Sequence, residues 1–176
     1  MKTFRSLVVL KRPLQELWTI MRDHLVEFAG QIADIEDVHQ ITRTVEPGGK
    51  VHIVNEWRAR QQVPSNLQSM LKLGELRWTD RNTWDEATWT CSWTIEPIAL
   101  GDHFACSGQT IFAMAMAGQG TRVTFTGDLD LKADLFASLG GVEPTMISFV
   151  ESIVTTIIPR NLRSVVEAAA AFELPK

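Results

Sequence analysis

Apolar residues recur along the chain with two different periods, and the change of period marks the elements. Residues 3–11, rich in Leu and Val, predict a strand. Pro13 suits the first turn of a helix, where its missing N–H costs nothing. Leu14, Leu17, Trp18 and Met21 then follow at helical spacing and continue through Leu25 and Phe28. Gly30 closes this region, which reads as one helix or two short ones.

Alternation with period two takes over next and predicts three hairpins. Once a turn is placed, the facing residues of an antiparallel pair are fixed. A Gly48-Gly49 turn, where both residues can take φ > 0, sets Thr42 opposite Asn55, Gln40 opposite Trp57 and Val38 opposite Ala59. The other face, with Asp37, His39, Glu56 and Arg58, is charged and expected to be wet. A turn near Asp85-Glu86 sets Trp78, Asp80, Asn82 and Trp84 against Trp93, Cys91, Trp89 and Ala87, with a Thr-rich opposite face. A turn at Gly118-Gln119 pairs Phe112 with Phe125, Met114 with Val123, Thr110 with Gly127 and Gly108 with Leu129. The connection near residues 97–100 places Cys91 opposite Cys106 and Trp93 opposite Phe104. Every register is consistent with one buried face.

Residues 64–73 predict a short helix with Leu67, Met70 and Leu71 on one side, either a lid or ordinary packing over the sheet edge. After Leu139-Gly140-Gly141, a long helix is expected over 144–172, carrying Met146, Val150, Ile153, Ile157, Val165 and Ala169, with a kink at Pro159. No linker or repeat divides the chain, so 1–176 reads as one domain.

The order of strand, helical pair, six-strand meander and C-terminal helix resembles the START-like, or SRPBCC, superfamily over essentially the whole chain. It is similar to START lipid-transfer domains, polyketide cyclases and plant pollen-allergen proteins. A weaker likeness to PRELI-type phospholipid-transfer domains lies in residues 45–52, Trp57 and the segment 64–73. The superfamily resemblance implies an α+β helix-grip fold. A seven-stranded curved antiparallel sheet wraps a long C-terminal helix, and the two enclose a tunnel for a hydrophobic or amphipathic ligand.

Composition narrows the functional classes. Hydrophobic residues are 45% of the 176 and charged residues 22%, enough for a substantial core. A formal net charge of −4 offers no basic stripe for nucleic acid. The first apolar run, Leu7–Leu10, is too short for a signal peptide or a membrane span, so a cytoplasmic chain with at most transient membrane contact is expected. Two cysteines make no disulfide framework, and buried thiols are expected. No metal-binding spacing occurs, and no cofactor is expected.

The aromatic composition, 6 Trp and 8 Phe with 0 Tyr, fills either a large core or the walls of a cavity. Polar residues on the inner face favour a cavity, because a buried unpaired polar group costs about 1–3 kcal/mol. Gln40, Thr42, Asn55, Asp80, Asn82 and Thr110 are therefore candidates to line it, with Gln40, Asn55, Asp80 and Asn82 to orient a ligand's polar end. Trp57, Trp78, Trp89, Trp93, Phe112, Met114 and Phe125 are candidate walls. The bland alternative is that the polar groups bond one another or lie exposed at strand ends.

Asp80 is the sole catalytic candidate, its acid favoured by desolvation. The histidines form no triad with it. Three functions remain open: a carrier of a hydrophobic small molecule or lipid, a polyketide cyclase/dehydratase-type enzyme, or a protein-interaction module. The oligomeric state stays undetermined.

Overall fold

The computed structural model describes residues 2–60, 76–98, 104–132, 156 and 158–175. The short helix expected at 64–73, His103, the Gly140-Gly141 break and the expected helical stretch of residues 144–155 and 157 lie outside the described residues.

Seven strands form one antiparallel sheet: β1 (Lys2–Leu10), β2 (Ile35–Val45), β3 (Val51–Ala59), β4 (Arg77–Asp85), β5 (Thr90–Pro97), β6 (Phe104–Ala115) and β7 (Gly120–Leu131). Their spatial order is β1-β7-β6-β5-β4-β3-β2, a meander whose last strand returns beside the first. Helices α1 (Leu14–Asp23) and α2 (Leu25–Phe28) follow β1, then a 3-10 turn (Ala29–Gln31). Helix α3 (Ile158–Ala171) packs against β1, α1, α2 and that turn. The curved sheet is thus closed by helices on its concave side. The kink expected at Pro159 turns on residues 151–155 and 157, which lie outside the described residues.

Helix α1 forms where the periodicity placed it, and its apolar stripe seals one end of the concave face. Leu17, Trp18 and Ile20 are fully buried. The Trp18 ring meets Trp84, Trp89 and Phe112 edge-on, with centroids 5.0–5.2 Å apart. Thr121 ties the turn before α1 to the sheet by donating its hydroxyl to the Arg12 carbonyl at 2.7 Å.

The hairpin registers differ from the sequence expectation, each because its turn is longer. The first hairpin closes from Val45 to Val51, and only Gly49 takes the left-handed conformation (φ 88°). Irregularities between Ile35 and Asp37 and between Gln40 and Thr42 then shift the pairing, so Gln40 faces Asn55 and Val38 faces Trp57. Thr42 consequently pairs with Val54 and is exposed rather than turned inward.

The second hairpin spends four residues between the paired Asp85 and Thr90. The Asp85 carboxylate accepts from the Ala87 backbone N–H at 3.1 Å, and Trp89 closes the turn with φ 53°. Asn82 therefore faces Trp93, Asp80 faces Ile95 and Trp84 faces Cys91. In the third hairpin, Met116, Ala117 and Gly118 all adopt positive φ, so Phe112 pairs with Val123, Thr110 with Phe125 and Gly108 with Gly127.

Between β5 and β6, Trp93 faces Gly108 and Ile95 faces Cys106, while Cys91 faces Thr110. The two cysteines are not cross-strand partners, and both are free thiols. The errors in the second and third hairpins and between β5 and β6 are even-numbered. Each face therefore kept its side chains while the partners changed.

Candidate functional site

A hollow lies between the concave sheet face and α3. Its larger cavity, about 110 Å³, has Trp57, Trp78, Ile95 and Phe104 of the sheet on one side and Ile158, Leu162 and Val165 of α3 on the other. Asp80 and Asn161 are the only polar side chains among its described lining residues, apart from the indole N–H groups. A second cavity, about 80 Å³, shares Trp57, Asp80, Ile95, Leu162 and Val165 with the first. The two are neighbouring compartments divided by those side chains. The second extends toward Trp84, Trp93, Phe112 and Phe125, with Asn82 and Thr110 on its wall.

A third pocket, about 30 Å³, lies toward the β2 edge and is polar, with Gln40, Asn55, Asn82, Arg22 and Asp23 around it. Cross-strand pairing aligns Gln40, Asn55 and Asp80 in one file, running from an exposed glutamine to the carboxyl at the hollow. At the mouth of this pocket Arg22 and Arg43 both donate to the Asp23 carboxylate, at 2.9 and 2.7 Å. Burial alone would raise the Asp23 proton affinity, but these two guanidinium groups hold it below the ordinary value.

No family model matches the chain, and no curated protein sequence matches it. Solved structures do. The Zhui aromatase/cyclase from Streptomyces sp. R1128 superposes over 97% of this chain and 92% of its own, at TM-score 0.67 and 16% identity. TTHA0849 from Thermus thermophilus covers 97% of this chain and 98% of its own, at TM-score 0.63 and 18% identity. The major latex-like protein 151 from Panax ginseng covers 99% and 98%, at TM-score 0.57 and 13% identity.

The chain has the helix-grip fold of these solved structures.

Within this helix-grip frame the twelve residues singled out by sequence besides Thr42 fall into distinct places. Trp57, Trp78, Asp80, Asn82, Trp93, Thr110, Phe112 and Phe125 all border the two apolar cavities. Asn55 is buried and borders the small polar pocket, while Gln40 is exposed at its rim. Met114 stands 67% exposed beyond the covered part of the sheet, so it is no wall. Trp89 is displaced from the strand into the β4–β5 turn and packs against Trp18 instead of bordering these cavities.

Sequence reasoning missed Asn161 and Leu162, and placed Val165 only on the apolar stripe of the last helix. They lie on a helix whose rotation against the sheet no local pattern reveals. Thr110 is partly accounted for by structure, since it accepts from Trp93 Nε1 at 3.1 Å. Trp57 and Trp78, paired across β3 and β4, stack at 5.8 Å with planes 9° apart.

Asp80 is the centre of the site's electrostatics. Asn82 Nδ2 donates to its Oδ2 at 2.9 Å, but Oδ1 is shielded from bulk water and has no hydrogen-bond partner. Trp57 Nε1 and Asn161 Oδ1, of residues on the same cavity, are buried without a hydrogen bond of good geometry, although the Trp57 indole lies close enough to Asp80 to act on its charge. Burial is the largest influence on its proton affinity and raises it above the ordinary 3.8, against the hydrogen-bonding influence of Asn82, Trp57 and Asn55. Burial, with the Asp80 charge behind it, pushes the Cys91 thiol well up, and burial pushes Cys106 up to about 12. Neither is a thiolate nucleophile at neutral pH. Among the described residues no group of His, Cys, Asp and Glu is arranged to hold a metal ion. No described helix is long and apolar enough to cross a membrane.

The raised proton affinity of Asp80 has a measurable sign. The folded state holds this proton more tightly than the unfolded chain does. Stability is thus greatest where the carboxyl is protonated in both states, and it declines as pH rises from about 3.8 toward the higher folded value. Asp80→Asn removes that ionisation and leaves an acceptor for Asn82. The Tm of the variant, followed by circular dichroism, should gain on the native protein progressively across that rise and then hold a constant lead. A difference that does not change with pH would contradict a costly ionisation at this position.

Proposed function

We propose that the protein binds a small, mostly apolar molecule in the hollow between the sheet and α3. The observation that carries this reading is a cavity with apolar walls that is bordered by the polar residues Asp80 and Asn161 and by the Trp57 indole. A few polar groups set in apolar walls are the make-up of a ligand pocket. Affinity would come mainly from apolar area leaving water, at roughly 25 cal/mol per Å² before ordering costs.

Size restricts the occupant. Ligand pockets usually enclose about 300–1,000 Å³, whereas an engineered apolar cavity of about 150 Å³ accepts benzene. The larger cavity, at about 110 Å³, is below that, so even a single ring calls on its 80 Å³ neighbour behind movable side chains. An acyl lipid would need α3 or its side chains to move outward, so carriage of a lipid rests on such an opening. The test is mass spectrometry of organic extracts from the purified protein, combined with calorimetric titration of small aromatic compounds. A stoichiometric apolar compound or saturable binding is expected. Repeated empty extracts with no saturable binding would remove the proposal.

A second reading is favoured by Asp80 itself. A carboxyl with raised proton affinity on a residue that borders the hollow is suited to act as a general acid or base, as a polyketide cyclase/dehydratase-type enzyme would require. The aromatase/cyclase among the structural neighbours suggests poly-ketone substrates for trial. On this reading Asp80→Asn abolishes turnover and spares binding.

A further inference from the structure

Three compartments stand in line from the hollow to the surface. The small polar pocket shares Met21, Leu25, Asn82 and Trp84 with the second cavity, which in turn shares Trp57 and Asp80 with the larger one. On its outer side the polar pocket is bordered by Gln40 and Val26, both exposed to solvent. Resting on the reading of the hollow as a ligand site, we propose that the ligand enters and leaves through this polar pocket, between the α1–α2 joint and β2, with the Arg43–Asp23 ion pair as its latch.

Both walls of this passage are interrupted where it crosses them. Helix α1 ends at His24, whose φ of −121° and ψ of 15° break the helical run, and α2 behind it has only 4 residues. Opposite them β2 is the outermost strand, paired with β3 alone among the described strands, and its register slips between Gln40 and Thr42. A helix of one turn has little stability of its own. Moving it costs less than parting strands bonded on both edges or lifting the 14-residue α3. The passage is polar on its sheet side, with Gln40 and Asn55, and apolar on its helix side, with Met21, Leu25 and Val26. A ring can slide along the second while displaced water leaves along the first. Met21 borders both compartments, and its unbranched thioether clears a path by rotation about its own bonds. The joint is clasped to the sheet by charge. Arg43 of β2 donates to the Asp23 carboxylate at 2.7 Å and to the Arg22 carbonyl at 3.4 Å, and Arg22 reaches Glu86 in the β4–β5 turn at 3.1 Å. The Arg43 and Asp23 side chains stay 33% and 24% exposed, so the latch weakens as salt rises.

Fluorine NMR exchange measurements on fluorobenzene, a single ring, read its entry rate, release rate and Kd with the purified protein. Arg43 borders none of the three compartments, and Arg43→Gln unfastens the latch. Entry and release should both quicken by about two- to fivefold, the scale of one half-exposed ion pair, with Kd held within about twofold. Val26→Trp adds bulk at the outer rim, where Val26 is 50% exposed and borders neither apolar cavity, and should slow both rates with Kd likewise held. Raising sodium chloride from about 0.05 to about 0.5 M should quicken exchange in the native protein and leave Arg43→Gln unmoved, a response that a merely structural role for Arg43 would not give. Rates that fail to rise in Arg43→Gln or to fall in Val26→Trp, or that change only together with Kd, would overturn the passage and leave the hollow as a ligand site. Fluorobenzene that never binds the folded native protein would instead overturn the hollow itself, and the passage with it.

Discussion

Replacing Trp18 with alanine should destabilise the protein by about 3–5 kcal/mol, the range for emptying a large aromatic from a packed core. Trp18 is fully buried and is the hub on which the edges and faces of Trp84, Trp89 and Phe112 converge. Its removal opens a void at the end of the hollow, and the bulky rings around it cannot collapse far without dragging β4, β6 and the β4–β5 turn. Aromatic pairs add about 0.5–1.5 kcal/mol each beyond area burial, which places this site toward the upper part of the range. Urea denaturation followed by far-ultraviolet circular dichroism measures it. A loss below about 1 kcal/mol would mean that the aromatic cluster is not the keystone its geometry implies. Trp18→Phe retains much of the volume and should recover a large part of the loss.

Gly108→Ala is expected to have the second large effect, and it acts through shape rather than lost contact. A methyl group at Gly108 would collide with the Thr126 carbonyl oxygen and come within 2.5 Å of the Trp93 ring. The facing Gly127 is as constrained, with Trp93 2.7 Å and Phe4 2.5 Å from where its methyl would stand. These two glycines pair across β6 and β7 and form the seat on which the Trp93 indole lies.

Backbone blocks one direction at Gly108, so relief has to come from the ring. Overpacking of this kind costs about 1–3 kcal/mol. The displaced indole would also lose its hydrogen bond to Thr110 and push into the second cavity. The variant should therefore show both a lower denaturation midpoint and weaker binding of small aromatic probes. Unchanged stability would mean that the sheet yields at this point.

The helix-grip fold was legible because its signals are local and mutually reinforcing. Helix α1 was readable from the spacing of Leu14, Leu17, Trp18 and Met21 behind Pro13, and the strands from alternation. Turn length was not readable. Asp85 builds its turn through its own carboxylate, and Trp89, Met116 and Ala117 take positive φ without being glycine. The expected tight turns therefore gave the wrong partners, including the apparent Cys91–Cys106 pair. At Gln40 to Thr42 an irregularity in β2 reversed the facing, which turned Thr42 outward.

The candidate site shows the same division. Asp80, Asn82, Trp57 and Trp78 were legible as polar and aromatic residues sharing one sheet face, because alternation fixes the face whatever the register. Met114 shares that parity yet stands in solvent, since how far the covering helices reach is not written in a strand. Asn161 was invisible for the converse reason. It is one polar residue beside an apolar helical stripe, and only docking of α3 across the sheet brings it to the cavity that Asp80 borders.

By itself, then, the order of residues determined the number and sense of the strands, the side of the sheet that is apolar, and the presence there of an acid too costly to bury without purpose. The tertiary structure alone decided which strands' residues face each other, where the helix leaves space, and that Asp80, Trp57 and Asn161 meet at one cavity. The physical reason is range: periodicity and propensity act over a few residues. A cavity is what remains when elements far apart in sequence fail to fill the volume between them.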